Sequence, residues 1–286
     1  SIRIQIAIIT KLINNTKFKI DKGDHLLDTH THILWNIDDG SKNQCMSLQM
    51  LEIAARSGTK AIFATPHVIE RANKPSWEEI KEKTQQLRQL CAEAQIDIML
   101  YPGAEVQMNW ELLPELGAAG AYCLNGGRYL LVELPAAEIP AYADEFWYEL
   151  ELKGITPILA HPERYQQLRE NPHLLLLWRR RGMLMQCNSG SFTGMFGSSV
   201  CENAKVLLAN GLVDLLGSDG HRSEGRNTDM SRAAAVIRQL AGEEVLRQMT
   251  ETNPQAILKN QEIELKQPKV FLEDKPKSFW QKLFGK

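Results

Sequence analysis

The 286-residue sequence contains few cysteines and no closely spaced pair of them. Its five cysteines are scattered and odd in number, and no Cys-x-x-Cys motif occurs. This usage argues against a disulfide framework and indicates free thiols in a reducing compartment. We therefore expect a cytoplasmic protein.

The sequence also lacks an excess of charge and a long apolar run. Lys and Arg total 33 against 35 Asp and Glu, so the formal net charge is −2. A near-neutral balance argues against nucleic-acid binding driven by counterion release. No run approaches the roughly 20 apolar residues that a membrane helix needs. We expect no nucleic-acid partner and no transmembrane segment.

Three common catalytic motifs are absent from the sequence. No Gly-x-x-x-x-Gly-Lys-Ser/Thr loop occurs, and no Gly-x-Ser-x-Gly turn occurs, so a P-loop nucleotide site and a nucleophilic serine of that type are not supported. No cysteine has an arginine six positions later, because Arg128 follows Cys123 one position too early. A cysteine-based tyrosine phosphatase loop is thereby excluded.

What the sequence does have is a regular alternation of apolar runs and amphipathic stretches. Predicted strands cover residues 26–28, 60–65, 96–101, 129–134, 155–160, 183–187 and 213–217. Predicted helices cover residues 46–57, 76–94, 142–153, a stretch ending near 181, 199–210, 228–240 and a last one ending near 250. Ser76 and Glu79 form a capping box at the start of the second helix.

This alternation predicts an α/β fold with a parallel sheet and helical crossovers. Seven or eight such units over about 250 residues favour a barrel, with a doubly wound open sheet as the alternative. We expect a single domain over residues 25–260. Residues 1–24 are predicted to be a leader with one edge strand or hairpin, and residues 261–286 a charged tail.

The tail ends in a short amphipathic segment. Four large apolar side chains would share one helical face there: Phe279, Trp280, Leu283 and Phe284. One interpretation is a helix that docks on a partner or makes peripheral contact with a membrane surface. The alternative is a tail that packs on its own domain or stays disordered, because so short a helix is marginal alone.

Histidines and carboxylates gather at the carboxyl ends of the predicted strands. Six of the seven ends carry such a residue, and the set is His30, His32, His67, Glu105, Glu133, His161, Asp219 and His221. In a parallel barrel these ends converge on one mouth, where active sites lie. Imidazole and carboxylate together suit Mn, Fe or Zn, and the number of ligands suffices for two or three ions with a bridging carboxylate. His25 and His173 lie off this pattern and are expected to be structural or on the surface.

Two arginines, Arg164 and Arg226, lie just beyond these strand ends. At a metal-lined mouth, a guanidinium group can bind phosphate oxygens in a bidentate manner. The alternative for each is a surface salt bridge of little consequence. Arg128 is a weaker third candidate. The loop at residues 188–191 is expected either to line the mouth or to cap the next helix.

Taken in order, the motifs resemble the PHP (polymerase and histidinol phosphatase) superfamily over about residues 25–260. They are most similar to its CpsB-type branch, the manganese-dependent protein-tyrosine phosphatases of bacterial capsule and exopolysaccharide clusters. The motifs that carry the resemblance are Asp28-Thr29-His30-Thr31-His32, Ile37-Asp38-Asp39-Gly40, Thr65-Pro66-His67, Gly103-Ala104-Glu105, His161-Pro162-Glu163-Arg164-Tyr165, Gln186-Cys187-Asn188-Ser189-Gly190-Ser191 with Phe196-Gly197, and Ser218-Asp219-Gly220-His221.

The resemblance implies a distorted seven-stranded (β/α)7 TIM-like barrel of the PHP type with a centre of two or three Mn²⁺ ions at its mouth. It adds Asp39 to the ligands. By motif, three sets would each hold one ion: His30, His32, Glu105 and Asp219; Glu105, Glu133 and His161; and Asp39, His67 and His221. Arg164 and Arg226 match positions near the substrate phosphate, and Asp219 and His221 are expected to serve catalysis as well as metal binding.

The function implied is hydrolysis of phosphotyrosine on a bacterial tyrosine autokinase that controls capsule or exopolysaccharide synthesis, by attack of a metal-bound hydroxide. One alternative is a small-molecule phosphatase of the histidinol-phosphatase type. Another is a PHP-type nuclease, which the near-neutral charge disfavours. A non-enzymatic module with a structural metal is the last alternative.

Overall fold

The strands of the described residues pair in parallel and form two sheets. The structure is a computed structural model that describes residues 25–265 and residue 268. The strands are β1 (Leu26–Thr31), β2 (Thr59–Ala64), β3 (His67–Val68), β4 (Met99–Pro102), β5 (Glu105–Gln107), β6 (Tyr129–Glu133), β7 (Thr156–Ala160), β8 (Leu184–Asn188) and β9 (Leu215–Gly217). The first sheet has the order β1-β2-β4, and the second has the order β3-β5-β6-β7-β8-β9. The predicted parallel α/β architecture is therefore confirmed.

Two strands of the first sheet are each followed, after a break of two residues, by a short strand of the second sheet that the sequence did not predict. Thr65 and Pro66 separate β2 from β3, and Gly103 and Ala104 separate β4 from β5. Proline has no N–H for the ladder, while the Pro66 carbonyl still accepts a hydrogen bond from the Glu105 amide at 3.0 Å. Gly103 leaves room for its neighbour, since a Cβ there would lie 2.6 Å from the Leu124 side chain. Each bend carries the next ligand-type residue into a new sheet.

The first and last strands are also joined. Thr31 and Gly220 form a parallel bridge, and the backbone amides of His32 and Asp219 donate to the carbonyls of Gly220 and His30 at 3.0 and 2.7 Å. This seam between β1 and β9 links the two ends of the strand order. The described residues form one α/β domain around a strongly curved parallel sheet.

Helices lie between most of the strands. They are α1 (Gln44–Arg56), α2 (Trp77–Glu93), α3 (Ala143–Leu152), α4 (Gln166–Glu170), α5 (His173–Arg180), α6 (Ser189–Phe192), α7 (Ser198–Ala209), α8 (Ser231–Ala241), α9 (Glu243–Arg247) and α10 (Asn253–Leu258). The Ser76 side chain accepts from the Glu79 amide at 3.1 Å, so one half of the predicted capping box is present. The helix predicted after the fifth strand is broken into a turn at Pro162–Arg164, α4 and α5, because Pro172 interrupts it.

The strands are buried on both faces, as β6 illustrates. Its alternate residues Leu130 and Val132 belong to the large apolar cluster under the helices, whereas Tyr129 and Leu131 belong to a second cluster with Phe63. Such two-sided burial is typical of parallel sheets covered by helices. The second cluster is closed by Ile257 and Ile263, and the Tyr129 hydroxyl donates to the Gln261 carbonyl at 2.6 Å. These contacts lie at the amino ends of the strands and leave the carboxyl ends open.

Several predictions fall beyond the described part of the chain. The edge strand or hairpin in residues 1–24 and the amphipathic segment near residue 280 lie outside the described residues. Within the described ranges, no helix combines the length and apolar character needed to cross a membrane.

Candidate metal centre

All nine ligand side chains expected from the sequence and the family resemblance lie together at the end of the sheet where β1, β2, β4, β6, β7 and β9 finish. His30 is in β1, with His32 just after it, while Glu105 begins β5 and Glu133 ends β6. The others follow a strand or begin one: Asp39, His67, His161, Asp219 and His221. The regular geometry of parallel strands therefore gathers residues from distant parts of the sequence into one site.

The donor atoms form three overlapping groups, in each of which every donor lies within 4.8 Å of the others. The groups are His30, His32 and Asp219; His67, Glu105 and Glu133; and His32, Asp39, His67 and His221. The first agrees with part of one expected ligand set. His67 lies with Glu105 and Glu133 as well as with the expected Asp39 and His221. His161 is connected to these groups by Glu105, because Nε2 of His161 lies 2.8 Å from Oε1 of Glu105.

Glu105 occupies the middle of the site. Its Oε2 atom lies 3.2 Å from Nε2 of His30, 3.3 Å from Nε2 of His32 and 3.0 Å from Nδ1 of His67. The carboxylate is 1% exposed, so water does not compensate its charge. The carboxylate thus contacts histidines of all three donor groups.

Several donor atoms are buried and have no hydrogen-bond partner. They are Nδ1 of His67, Oε2 of Glu105, Oδ1 of Asp219 and Nε2 of His221. Buried polar groups in native proteins are nearly always hydrogen bonded, and an orphaned group calls for an ion or another explanation. The combination of imidazole and carboxylate donors fits Mn, Fe or Zn. The residues present therefore fit a centre of divalent cations.

Two outer residues set the orientation of the first two histidines. Oδ2 of Asp38 accepts from Nδ1 of His32 at 2.7 Å and from the His67 amide at 3.0 Å. Gln186 offers Oε1 to Nδ1 of His30 at 2.9 Å, because its amide nitrogen donates to the Cys187 carbonyl. Each contact turns the Nε2 atom of its histidine into the cluster, where the two Nε2 atoms lie 3.1 Å apart and both face Glu105.

Opposed effects set the pKa values within the cluster. Burial lowers the pKa of His67, but the nearby charge of Glu105 outweighs it and raises this pKa to about 10. Burial, reinforced by the charge of His32, lowers the pKa of His221 to about 4. Burial raises the pKa of Glu105, yet the charges of His30 and His67 hold it well below its usual range. The central carboxylate is therefore ionised.

Two of the nine residues have an unusual backbone. His161 has a φ of 37° and Asp219 a φ of 52°, in the left-handed region that non-glycine residues rarely adopt. Such conformations persist where the surroundings over-determine them, and they cluster at functional sites. Each occurs directly after a strand or within two residues of its end. The reversal turns the side chain towards the centre of the mouth.

The two arginines expected to bind phosphate meet at one carboxylate. Nη1 of Arg164 lies 3.3 Å from Oδ2 of Asp219, and Nη2 of Arg226 donates to the same oxygen. Nδ2 of Asn188 donates to it as well, at 2.5 Å. The other oxygen of Asp219 faces His30 and His32 at 3.5 and 3.4 Å. Asp219 therefore connects the metal-binding cluster to the arginines.

The loop after β8 does not simply cap a helix. Oε1 of the buried Glu163 accepts from the Asn188 amide at 2.9 Å and from the Ser191 hydroxyl at 2.6 Å. Asn188 makes no side-chain cap of α6 and points its amide at Asp219 instead. Of the two interpretations from the sequence, lining the mouth is the one supported.

Sequence reasoning was wrong about Arg128 and incomplete about the outer residues. Arg128 precedes β6 at its amino end, where its guanidinium lies over the Tyr129 ring, so it is remote from the mouth. His25 is exposed and His173 begins α5, both outside the cluster, as expected. Asp38 and Gln186 were not singled out, although both lie inside quoted motifs. The sequence does not show which of two adjacent aspartates faces a ligand.

A cleft of about 640 Å³ opens over the cluster. One wall is the mainly apolar segment at residues 134–139, and the other includes Arg164, Arg169 and Arg226. The Tyr165 hydroxyl accepts from the Leu134 amide, and Oε1 of Gln167 accepts from the Ile139 amide, at 2.9 and 2.7 Å. Both ends of the apolar wall are thus fixed. The cleft can admit a flat apolar group that carries an anion.

Known proteins are similar in sequence to this chain over most of its length. Tyrosine-protein phosphatase YwqE of Bacillus subtilis is 34% identical over 238 residues, which cover 83% of this chain and 93% of that protein. Tyrosine-protein phosphatase CpsB of Streptococcus pneumoniae is 28% identical over 241 residues, covering 82% and 99%.

Solved structures are similar to this fold. One match comes from crystal structures of YwqE from Bacillus subtilis and CpsB from Streptococcus pneumoniae, described as unique metal-dependent tyrosine phosphatases. It has a TM-score of 0.80 and 33% identity, and it covers 85% of this chain and 98% of that one. A histidinol phosphate phosphatase from Lactococcus lactis has a TM-score of 0.50 at 17% identity, which is a likeness of fold alone.

The family profile described as capsular polysaccharide synthesis, CpsB/CapC, matches residues 26–259. That range contains every ligand-type residue of the cluster and both arginines. The resemblance stated from the motifs is thus confirmed, and the chain belongs to the CpsB/CapC family.

Proposed function

We propose that this chain is a metal-dependent phosphomonoester hydrolase that removes phosphate from tyrosine in proteins. The observation that carries the proposal is the position of Asp219, which places two arginines beside a cluster of unpaired metal-binding donors under an open cleft. The named activity of the relatives, which span nearly the whole described domain, supports the same reading.

The centre is proposed to hold two or three Mn²⁺ ions. The ligands would be the nine residues of the cluster, and Glu105 would be shared between ions. His67 belongs to two of the donor groups and could bind in either. Bound divalent cations supply a nucleophile at neutral pH by lowering the pKa of water, and they neutralise charge on a phosphoryl group. Fe and Zn satisfy the same donor chemistry.

The side chains of the chain itself bind and orient the substrate. Arg164 and Arg226 are about one third exposed and directed to the cleft, so their free N–H groups can bind phosphoryl oxygens. Asp219 holds one N–H of each, which keeps both guanidinium groups beside the cluster before substrate arrives. Preorganised donors of this kind stabilise the charge that develops on the phosphoryl group in the transition state.

The apolar wall accounts for a preference for phosphotyrosine. A tyrosine ring can pack against the apolar residues of 134–139 while its phosphate faces the arginines and the cluster that line the same cleft. Tyrosine also has an ordinary pKa of about 10, so its phenolate leaves more readily than a serine alkoxide.

The proposed physiological substrate is a bacterial tyrosine autokinase of a capsule or exopolysaccharide system, in the cytoplasm. The family description supports the link to capsular polysaccharide synthesis, and five free thiols are consistent with a reducing compartment. We also propose that residues 25–260 form the catalytic domain. Its nine strands would form a distorted (β/α)7 barrel, in which β2 and β3 together count as one strand and β4 and β5 together count as another.

The test is hydrolysis of a phosphotyrosine peptide by protein stripped with EDTA, before and after addition of Mn²⁺. Phosphoserine peptide, histidinol phosphate and single-stranded DNA serve as competing substrates. We expect activity only with metal, preferentially on phosphotyrosine, and its loss in His30→Ala, His161→Ala and Asp219→Ala. His25→Ala is the matched control, because that histidine is exposed and outside the cluster. Full activity after EDTA treatment, or in all three cluster variants, would contradict the metal-centre account.

A further inference from the structure

The aromatic ring of Phe196 lies against both arginines of the site. Cζ of Arg164 is 4.8 Å from the centre of the ring, and Cζ of Arg226 is 5.7 Å from it. A cation within about 6 Å of an aromatic face is attracted by the ring quadrupole. One ring therefore contacts the two cations that the proposed function places on the phosphoryl group.

The half-buried Phe196 ring also packs on the backbone of its own loop. A Cβ added to Gly190 would lie 3.1 Å from Cε2 of Phe196 and 2.9 Å from Sδ of Met195, so the loop packs directly on the Gly190 backbone. The Met195 amide donates to the Gly190 carbonyl at 2.9 Å. Phe192, four residues earlier, is buried in the apolar core and anchors the same segment. The ring is thus held by contacts that do not involve the arginines.

The arginines, in contrast, have few other restraints at their tips. Each guanidinium has one hydrogen bond to Oδ2 of Asp219, and Nε of Arg226 is buried with no hydrogen-bond partner. A single shared oxygen fixes a distance but not the tilt of two planar groups. Stacking on an aromatic face restrains that tilt, because a guanidinium is planar and packs well on rings.

We infer that Phe196 is a positioning residue for phosphate recognition, which keeps the two guanidinium groups oriented towards the phosphoryl group without touching it. The inference rests on the proposed function, because it takes the phosphoryl group as the ligand of both arginines. Long charged side chains lose conformational freedom when they bind. Stacking on the ring restricts the arginines before phosphate arrives, so less conformational freedom is lost on binding and phosphate binds more tightly.

The test replaces Phe196 by phenylalanines with one, two and three ring fluorines in the full chain loaded with Mn²⁺. Fluorination weakens the ring quadrupole with little change of shape. Inorganic phosphate is the probe, titrated by calorimetry. We expect the dissociation constant to rise stepwise, and Phe196→Leu to weaken binding about 2- to 5-fold for each stacked arginine. Phe196→Trp should retain wild-type affinity. With a phosphotyrosine peptide, KM should rise in the same order as the phosphate dissociation constant.

A structural role alone would not give this gradient. Metal content and the midpoint of thermal unfolding should stay constant along the fluorinated series, and the same fluorination of Phe192 should leave phosphate affinity unchanged. Equal affinity across the Phe196 series, or no phosphate binding by the wild-type protein, would overturn the inference. If the wild-type protein binds phosphate but cleaves no phosphotyrosine, the proposed function fails while the gradient still decides the role of Phe196.

Discussion

Nδ1 of His67 lies 3.0 Å from Oε2 of Glu105, and neither atom has a hydrogen-bond partner. Leaving a buried polar group unsatisfied costs about 1–3 kcal/mol. A cation placed between such atoms would remove that cost. The geometry therefore links metal binding to the stability of the domain.

Removal of metal should lower the midpoint of thermal unfolding. A ligand that binds only the folded state at 100 times its dissociation constant stabilises that state by about 2.7 kcal/mol. We expect Mn²⁺ to raise the midpoint and EDTA to reverse the change, as followed by differential scanning fluorimetry. The shift should shrink in His67→Ala and persist in His25→Ala. An equal shift in both variants would contradict the expectation.

Asp38→Asn should weaken metal binding although Asp38 is not itself expected to be a ligand. The carboxylate accepts from Nδ1 of His32 and from the His67 amide, and an amide in its place no longer fixes the orientation of His32 as firmly. Loss of such an outer partner typically costs 10- to 100-fold in metal affinity or activity. Competition against a metal indicator measures this. Asp97→Asn, at an exposed site, is the control, and unchanged affinity in Asp38→Asn would refute the role.

Arg226→Lys should lower kcat/KM for a phosphotyrosine peptide by about 10-fold or more while metal content stays constant. Lysine keeps the charge but loses the planar group that contacts both Asp219 and the Phe196 ring. Steady-state kinetics and elemental analysis of the purified protein test the two parts. Arg56→Lys changes a surface arginine paired with Glu52 and should have no effect. A loss of metal together with activity would assign Arg226 to the centre itself.

Arg179→Ala should destabilise the fold by about 3–5 kcal/mol. The side chain is 3% exposed and makes a two-pronged contact with Asp214, which also accepts from the Met185 amide. Its removal leaves a buried carboxylate without its partner. Arg181→Ala, two residues along, breaks a partly exposed pair with Glu151 and should cost less than about 1 kcal/mol. Urea denaturation compares them, and equal losses would contradict the argument.

Alkylation of cysteine should leave activity intact. Cys91, Cys123 and Cys187 are buried, and burial raises the pKa of the Cys123 thiol to about 12. Thiolate is the reactive form, so these groups resist iodoacetamide. Mass spectrometry should find modification confined to Cys45 and Cys201, with phosphatase activity retained. Inactivation that tracks modification of any one cysteine would indicate a thiol mechanism.

The clustered histidines and carboxylates could be found from the sequence because the carboxyl ends of parallel strands meet at one end of the fold. Strand and helix patterns marked the strand ends, and parallel packing brings those ends together wherever they lie in the chain. His30 and Asp219 were thus placed in one site without any contact information. Family resemblance added Asp39, which lies in a loop that no periodicity marks.

The remaining features depend on tertiary contacts that leave little trace in the sequence. β3 and β5 have two and three residues, too short for any hydrophobic period, and they exist because the chain bends at Pro66 and Gly103. Arg128 is an exception, because the predicted strand at residues 129–134 already places it at the amino end of β6, opposite the mouth. Phe196 appeared only as part of a motif, since its partners come from two other loops.

The seam between β1 and β9 has a consequence for the order of events during synthesis. Asp28 in β1 accepts a hydrogen bond from the Ser218 amide, 190 residues later, and the proposed ligands Asp219 and His221 follow at once. A chain emerging from the ribosome exposes His30 and His32 long before those partners exist. Under the proposed function the site is complete only once the last strand has been made, so full metal loading would be a late, nearly post-translational event.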